Sequence, residues 1–541
     1  MTTKNNARLN LKSETNTNAY QSIRCNFQKP DTQRTAANAR ACAFASPLSV
    51  RYHCVHGSKR FEVARNSVSS RSAALAMAAV LTATPAVAAE TAAPHLDGAA
   101  LSALWAVPFI GLLLSIAVMP LVAPHFWHHH YGKVSAAWAI AFLAPFAALQ
   151  GTQIATFEFL HVMLLDYVPF IILLFTLYTI SGGVYIAGDI HGTPLTNTGL
   201  LAGGTLIASV AGTTGASVLL IRPLLRANDG RSYNVHVVVF FIFLVSNIGG
   251  SLTPLGDPPL YIGFLKGVDF FWPTIHLLGK TVVLAVILLA VFFAIDTYVY
   301  ARDRRRRADP TPDTHPQIKF HGWRNIMLLA AVIAVILGSA MWKTDAAVDV
   351  YGVHVDLPNI ARVIALLGLA ALSLWLTPIA YREGNNFTWG PIAEVAKLFA
   401  GIFITIVPVI AMLKAGEAGA FAPVLALVTN DDGTPNNAMY FWLTGGLSSF
   451  LDNAPTYLVF FNAAGGDPQQ LMGPLAGTLA AISAGAVFMG ANTYIGNAPN
   501  FMVKAIAEEA GVRMPSFFGY MLWSAVFLLP CFALVTWLYF V

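Results

Sequence analysis

The sequence predicts an all-α polytopic membrane protein, and three observations support this prediction. The chain of 541 residues is 56% hydrophobic and only 11% charged, with a mean hydropathy of +0.61, which excludes an ordinary soluble globular protein. Apolar runs recur that can each cross a hydrocarbon core of about 30 Å, and we expect about eleven transmembrane helices. Gly, Pro and polar residues interrupt other apolar stretches at corresponding places. The clearest runs are 101–122, 168–186, 282–298, 326–341, 364–379 and 517–540.

Composition divides the chain into five segments. Residues 1–62 are polar and lack periodicity, which indicates disorder or a start site placed too early. Residues 63–89 have two Arg, an Ala/Leu-rich core and the small-residue motif AVA, the order of a secretory signal peptide that is either cleaved or retained. Two transmembrane repeats are expected at 90–301 and 324–541, joined by a basic linker at 302–323.

The distribution of charge predicts the topology. The motif RDRRRR at 302–307 is expected in the cytoplasm, because basic loops stay inside, and we interpret it as topogenic rather than as a nucleic-acid patch. The acidic loop at 343–359 is then outside, in a multi-pass protein of a bacterial-type inner membrane. His128–His130 are expected in a solvated loop between two spans rather than in a metal site.

An internal repeat at an offset of 240 residues is the strongest single observation. The motif GSLTPLGDPP at 250–259 matches GANTYIGNAP at 490–499, and the tips AGTTGAS at 211–217 and FLDNAPTY at 450–457 keep the same offset. This pattern predicts two inverted repeats, each with a re-entrant hairpin and an interrupted helix, which is typical of secondary transporters. The residues expected to break the helices and free backbone groups are Gly256, Pro258, Pro259, Gly496 and Pro499.

Two carboxylates fall within these breaks, Asp257 in an interrupted span and Asp452 at a hairpin tip. Burial favours the protonated acid and a bound cation favours the carboxylate, so H⁺ and Na⁺ would compete for one site. We therefore predict that both residues bind the ion and exchange the proton. Further oxygen ligands, whose alternative role is helix–helix hydrogen bonding, are Thr213, Thr214, Ser217, Asn247, Thr253, Asn453, Thr456, Asn492, Thr493 and Asn497.

On the stretches AGTTGASVLLIRPLL, SNIGGSLTPLGDPP, FLDNAPTY and GANTYIGNAPN, the sequence resembles the ion transporter superfamily. The likeness is to sodium/proton antiporters of the NhaD type, which are related to arsenite pumps and to citrate and dicarboxylate transporters. The resemblance implies an inverted-repeat fold in membrane lipid, often a homodimer, with Na⁺ (or Li⁺) and H⁺ as transported ions and no cofactor. Nucleic acid is not an expected partner.

The tips bear on the substrate. Dicarboxylate members carry Ser-Asn-Thr at both tips, whereas this chain reads Gly-Thr-Thr at 212–214 and Asp-Asn-Ala at 452–454. An Asp at one tip, together with Asp257, would repel an organic anion unless both were neutral, which favours Na⁺(Li⁺)/H⁺ antiport. A Na⁺-coupled citrate or dicarboxylate symporter stays open as the alternative. No nucleophile–base pair, phosphate loop or transition-metal motif points to an enzyme.

Overall fold

The computed structural model describes residues 96–187, 190–304 and 319–541. Within these residues eight helices are long and apolar enough to span a membrane, or nine if the bent pair Gly390–Thr405 and Val407–Lys414, which turns by 42°, is one span. The chain is therefore a multi-pass membrane protein. The eight spans are Ala103–Val122, Pro124–Gln150, Thr152–Ser181, Val235–Leu252, Trp272–Asp303, Trp323–Met341, Leu357–Leu376 and Phe517–Tyr539.

All six apolar runs singled out in the sequence overlap one of these spans. The run at 168–186 ends early, because its helix stops at Ser181 and residues Tyr185–Ala187 form a strand. Within the described residues, fewer helices pass as spans than the expected eleven, and the reason is physical. The remaining apolar helices are short or polar-tipped, as in Ala476–Met489, which has 14 residues and is almost wholly buried.

Two helix hairpins lie at the positions predicted for re-entrant segments. Helices Pro194–Ala211 and Thr213–Ala227 meet at Gly212, and helices Asn437–Phe450 and Asn453–Ala463 meet at residues 451–452. In each hairpin the two helices pack against each other. Gly212 has a φ of 79°, a conformation that favours glycine.

Short helices complete the described chain. The span Val235–Leu252 consists of helix Val235–Leu244 followed by the 3-10 turn Ile248–Leu252, and helix Pro258–Leu265 comes after it. Its counterpart is the 3-10 turn Gly490–Asn492 followed by helix Ala498–Glu509. The other short elements are Gly98–Ala100, Ala103–Ala106, Ile379–Gly384, Gly416–Ala418, Ala422–Ala426 and Pro468–Met472, with a π-helical turn at Val162–Tyr167 inside the third span.

Two small antiparallel ribbons depart from the all-α prediction. Tyr185–Ala187 pairs with Lys319–His321. Ala347–Val350 pairs with Val353–Asp356 across a two-residue turn, in which Tyr351 and Gly352 have φ of 61° and 85°, the positive values that a tight hairpin turn requires. The loop expected at 343–359 therefore contains a β-hairpin.

One further expectation was wrong, and several lie outside the described residues. His128–His130 belong to helix Pro124–Gln150, not to a loop, because that helix starts at Pro124 directly after the first span. Among the described residues no group of three or more His, Cys, Asp or Glu is arranged to hold a metal ion. The expected extension at 1–62, the signal-peptide-like segment at 63–89 and most of the basic linker fall outside the described ranges.

A buried ionic cluster ties the first hairpin to the long helix Trp272–Arg304. Asp296 is fully buried on that helix and forms an ion pair with Arg231. His236 Nε2 lies 2.8 Å from the same carboxylate, and Asn197 of the first hairpin donates a hydrogen bond to it at 2.9 Å. Because these groups are buried together, each compensates the desolvation of the others.

We expect Asp296→Asn to lower the free energy of unfolding by about 3 kcal/mol, because it leaves the buried Arg231 without its counter-charge. The measurement is the thermal unfolding midpoint of the purified protein in detergent. The matched control is Asp229→Asn, since Asp229 is exposed. Equal midpoints for the two variants would show that the cluster contributes little.

Candidate functional site

Four helices begin at one buried centre. Helix Thr213–Ala227 starts at the first hairpin tip and helix Asn453–Ala463 at the second, while helices Pro258–Leu265 and Ala498–Glu509 start directly after the two breaks. Pro258–Leu265 packs on Asn453–Ala463, and Ala498–Glu509 packs on Thr213–Ala227. Because helix N-termini carry partial positive charge, the centre is a favourable place for a negative group.

Asp257 is that negative group. It is 1% exposed and accepts three side-chain hydrogen bonds. Thr213 Oγ1 donates to Oδ1 at 2.8 Å, Asn497 Nδ2 donates to Oδ1 at 3.1 Å, and Asn453 Nδ2 donates to Oδ2. Among the described residues no Lys or Arg forms a salt bridge with Asp257. The carboxylate is thus held by neutral donors alone.

The four residues of this centre are related in pairs by the sequence offset. Asn453 lies 240 residues after Thr213, and Asn497 lies 240 residues after Asp257. Asp257 and Asn497 have nearly the same backbone conformation, with φ, ψ of −144°, 143° and −151°, 139°. Both members of each pair therefore lie at the centre.

The two threonines of the breaks make matching hydrogen bonds. Thr253 donates to the carbonyl of Ser209 and Thr493 to the carbonyl of Ser449. Each hydroxyl also accepts the N–H two residues on, at 3.1 and 3.2 Å. These threonines therefore hold the unwound backbone. Ser209 and Ser449 were not among the predicted residues, although they too are separated by 240 residues.

The glycines and prolines of the breaks have distinct roles. A Cβ at Gly256 would lie 2.1 Å from the Gly250 carbonyl oxygen, and one at Gly496 would lie 2.6 Å from the Gly490 carbonyl oxygen. The backbone closes on itself at both points, so only glycine fits. Pro258, Pro259 and Pro499 lie in the first turn of the following helices, where no N–H is needed. The prolines start helices here rather than break them.

Asp452 lies at the second tip, but its side chain makes no hydrogen bond to Asp257. Its Oδ1 accepts the N–H of Ala454 at 3.2 Å and so caps the following helix. The side chain is half-buried, and it is an electrostatic neighbour of Asp257. The adjacent Asn453 is the tip residue that contacts Asp257.

Asparagines link the two breaks. Asn247 Nδ2 donates to Asn500 Oδ1 at 2.7 Å, and Asn247 Oδ1 accepts from Asn497 Nδ2 at 3.2 Å. Asn500 was missing from the predicted set, although it is a polar residue in an apolar stretch. This network joins the two halves of the chain beside Asp257.

The other predicted ligands divide by their hydrogen bonds. Ser217 bonds to Ser246 at 2.8 Å, and Thr456 donates to the Asp452 carbonyl at 3.0 Å, so both have structural partners. Asn453 Oδ1 and Asn492 Oδ1 are buried acceptors without a hydrogen-bond donor in the described part of the chain. Thr214 is half-buried beside the first tip. The unpartnered amide oxygens are the strongest candidate cation ligands.

These features define the class: a multi-pass membrane protein in which two broken helices and two hairpin tips surround a buried carboxylate. A protein-family model described as "Putative citrate transport" matches residues 98–540, and the chain belongs to this family. An uncharacterized transporter of Mycobacterium bovis and one of Mycobacterium tuberculosis are each 24% identical over 335 residues, 61% of this chain and 73% of the relative. A 46 kDa membrane protein of Mycobacterium leprae is 24% identical over 333 residues, with the same shares covered. The family, together with the two relatives that are named as transporters, identifies this protein as a transporter.

We expect Gly256→Ala to destabilise the protein by about 2 kcal/mol or more, because the added methyl group must push the Gly250 carbonyl away and overpacking has a cost of this order. Thermal unfolding in detergent measures the effect. Gly199→Ala is the matched control, since a Cβ there meets nothing within 4 Å. A Gly256→Ala protein as stable as the control would contradict the close approach.

Proposed function

We propose that the protein is a secondary active transporter that exchanges Na⁺ (or Li⁺) for H⁺ by alternating access. The observation that carries the proposal is Asp257, a buried carboxylate that only neutral donors bond among the described residues. A buried carboxylate of this kind is costly unless a proton or a cation neutralises it. Exchange of the two neutralising species is the simplest activity that such a site supports.

The exchange follows from competition at one carboxyl group. When Asp257 loses its proton, the carboxylate binds a cation; when it regains the proton, the cation leaves. Asn453 contributes its amide oxygen, and Thr213 and Asn497 orient the carboxylate through the hydrogen bonds described above. Asp452, half-buried beside the site, is the second exchanging carboxylate in this proposal. Because H⁺ and Na⁺ exclude each other, the site moves one of them at a time.

We also propose an inverted-repeat architecture for this transport, with residues 90–301 and 324–541 as the two halves. Its support is the matching conformation and hydrogen bonding of the two breaks at an offset of 240 residues. The hairpins are then re-entrant, and the interrupted and short buried helices bring the crossings to about eleven. In this proposal the basic linker lies in the cytoplasm of a bacterial-type inner membrane, and the transporter is a homodimer.

A second candidate is Na⁺-coupled symport of citrate or a dicarboxylate. The family description favours it, and four helix N-termini at one centre favour an anionic ligand. The Asp257 carboxylate opposes it, because an unneutralised acid would repel the substrate. The two candidates differ in the partner of Na⁺ and in its direction: in the antiport H⁺ moves opposite to Na⁺, whereas in the symport the anion moves with it.

We expect Asp257→Asn to abolish Na⁺-induced proton movement in proteoliposomes that contain a pH-sensitive dye. Asn cannot exchange a proton, yet it fits this backbone, since Asn497 occupies the equivalent conformation naturally. The matched control is Asp345→Asn, at an exposed loop residue, which should exchange like the wild type.

For Asp452→Asn we expect reduced exchange in a folded protein, because Asn caps a helix N-terminus as well as Asp does. Wild-type exchange in both the Asp257 and Asp452 variants would rule out the carboxylate mechanism. Uptake of labelled citrate driven by a Na⁺ gradient, without any Na⁺-induced proton movement, would instead establish the second candidate.

A further inference from the structure

A second polar site lies at the other end of helix Pro258–Leu265, away from Asp257. A cavity of about 520 Å³ opens there, and the eight residues of the helix separate it from the centre by about 12 Å. Other walls come from the third span, from the end of Trp323–Met341, from strand Val353–Asp356 and from the start of Leu357–Leu376. This volume is typical of small-molecule sites.

Arg362 is the unexplained group in this cavity. Its side chain lies in a membrane-spanning helix and is only 6% exposed, and its Nε is buried without a hydrogen-bond partner in the described residues. The guanidinium lies over the Phe264 ring at 5.7 Å, and no described carboxylate forms a salt bridge with it. A buried Arg without a counter-charge is costly in a membrane, so an anionic ligand in the cavity would stabilise it.

The neighbouring charges leave the deep end of the cavity positive. Lys266 is paired with Asp166 at 2.6 Å, so these two cancel, whereas Arg362 is uncompensated. Asp269 and Asp356 are exposed at the rim, where water screens them. An anion that enters past the rim therefore meets one net positive charge.

We infer that this cavity binds a small oxyanion, a carboxylate or a phosphate, with Arg362 as the main ligand and Lys266 as the second. The planar guanidinium fork matches the two oxygens of such a group. Lys266 has three donors, of which Asp166 uses one. The site is separate from the proposed exchange at Asp257 and does not depend on it.

Thermal unfolding of the purified protein in neutral detergent tests the inference. Choline salts of citrate, succinate and phosphate are titrated at constant ionic strength, without Na⁺, against choline chloride. We expect a saturable rise in unfolding temperature with at least one oxyanion. In Arg362→Gln, which loses the charge-assisted bonds, we expect the affinity for that oxyanion to be at least about tenfold lower than in the wild type. Arg324→Gln is the matched control, since Arg324 is exposed at the start of the neighbouring helix.

Two further arms make the outcome decisive. Arg362→Lys keeps the charge but loses the fork, so it should bind with intermediate affinity and shows that the effect is not misfolding. Mixed micelles of phosphatidylglycerol and the neutral detergent test whether a lipid headgroup supplies the oxyanion. Stabilisation by this lipid alone, lost in Arg362→Gln, would assign the site to lipid phosphate. No stabilisation by any oxyanion or lipid, or equal stabilisation in Arg362→Gln and wild type, would overturn the inference.

Discussion

The buried Asp257 carboxylate is the constraint on which the rest of the structure depends. Its hydrogen-bond donors come from both hairpin tips and from the second break, so the two halves of the chain must meet at this point. A continuous apolar helix would not place a carboxylate at a helix N-terminus. The span is therefore interrupted just before this residue, and a new helix starts directly after it. The breaks follow from this requirement, because polar backbone groups freed inside a membrane need protein partners.

The partners of the unwound backbone explain the residues of the breaks. Thr253 and Thr493 bond across to the first helix of each hairpin, Gly256 and Gly496 let the chain fold back on itself, and prolines start the next helices. The threonines thus give hydrogen-bond partners to backbone groups of the breaks, and the glycines make room for the close approach of the backbone. Arg362 has no such partner for its Nε in the described residues, and this is why we infer a ligand in its cavity.

Six of the eight spans in the described residues, the two tips and the two breaks could be predicted from the sequence, since apolar length and the constant offset can be read from the sequence directly. The offset also placed Asn453 and Asn497 in the predicted set around Asp257. It could not tell which of two adjacent tip residues faces the centre: Asn453 does, while the Asp452 side chain caps its own helix. Asn500 and Arg362 were missed because their importance arises from packing between elements distant in sequence, which no local pattern records.

Proton release on cation binding tests the central claim most directly. Purified protein in weakly buffered detergent, near neutral pH, is mixed with NaCl, and a pH indicator reports the protons released per chain, with choline chloride as the reference. If Na⁺ displaces the proton of Asp257, Na⁺ releases protons from the wild type, about one per chain from this carboxyl group in addition to any from Asp452, and Asp257→Asn loses the Asp257 share. Release that persists unchanged in Asp257→Asn would contradict the account.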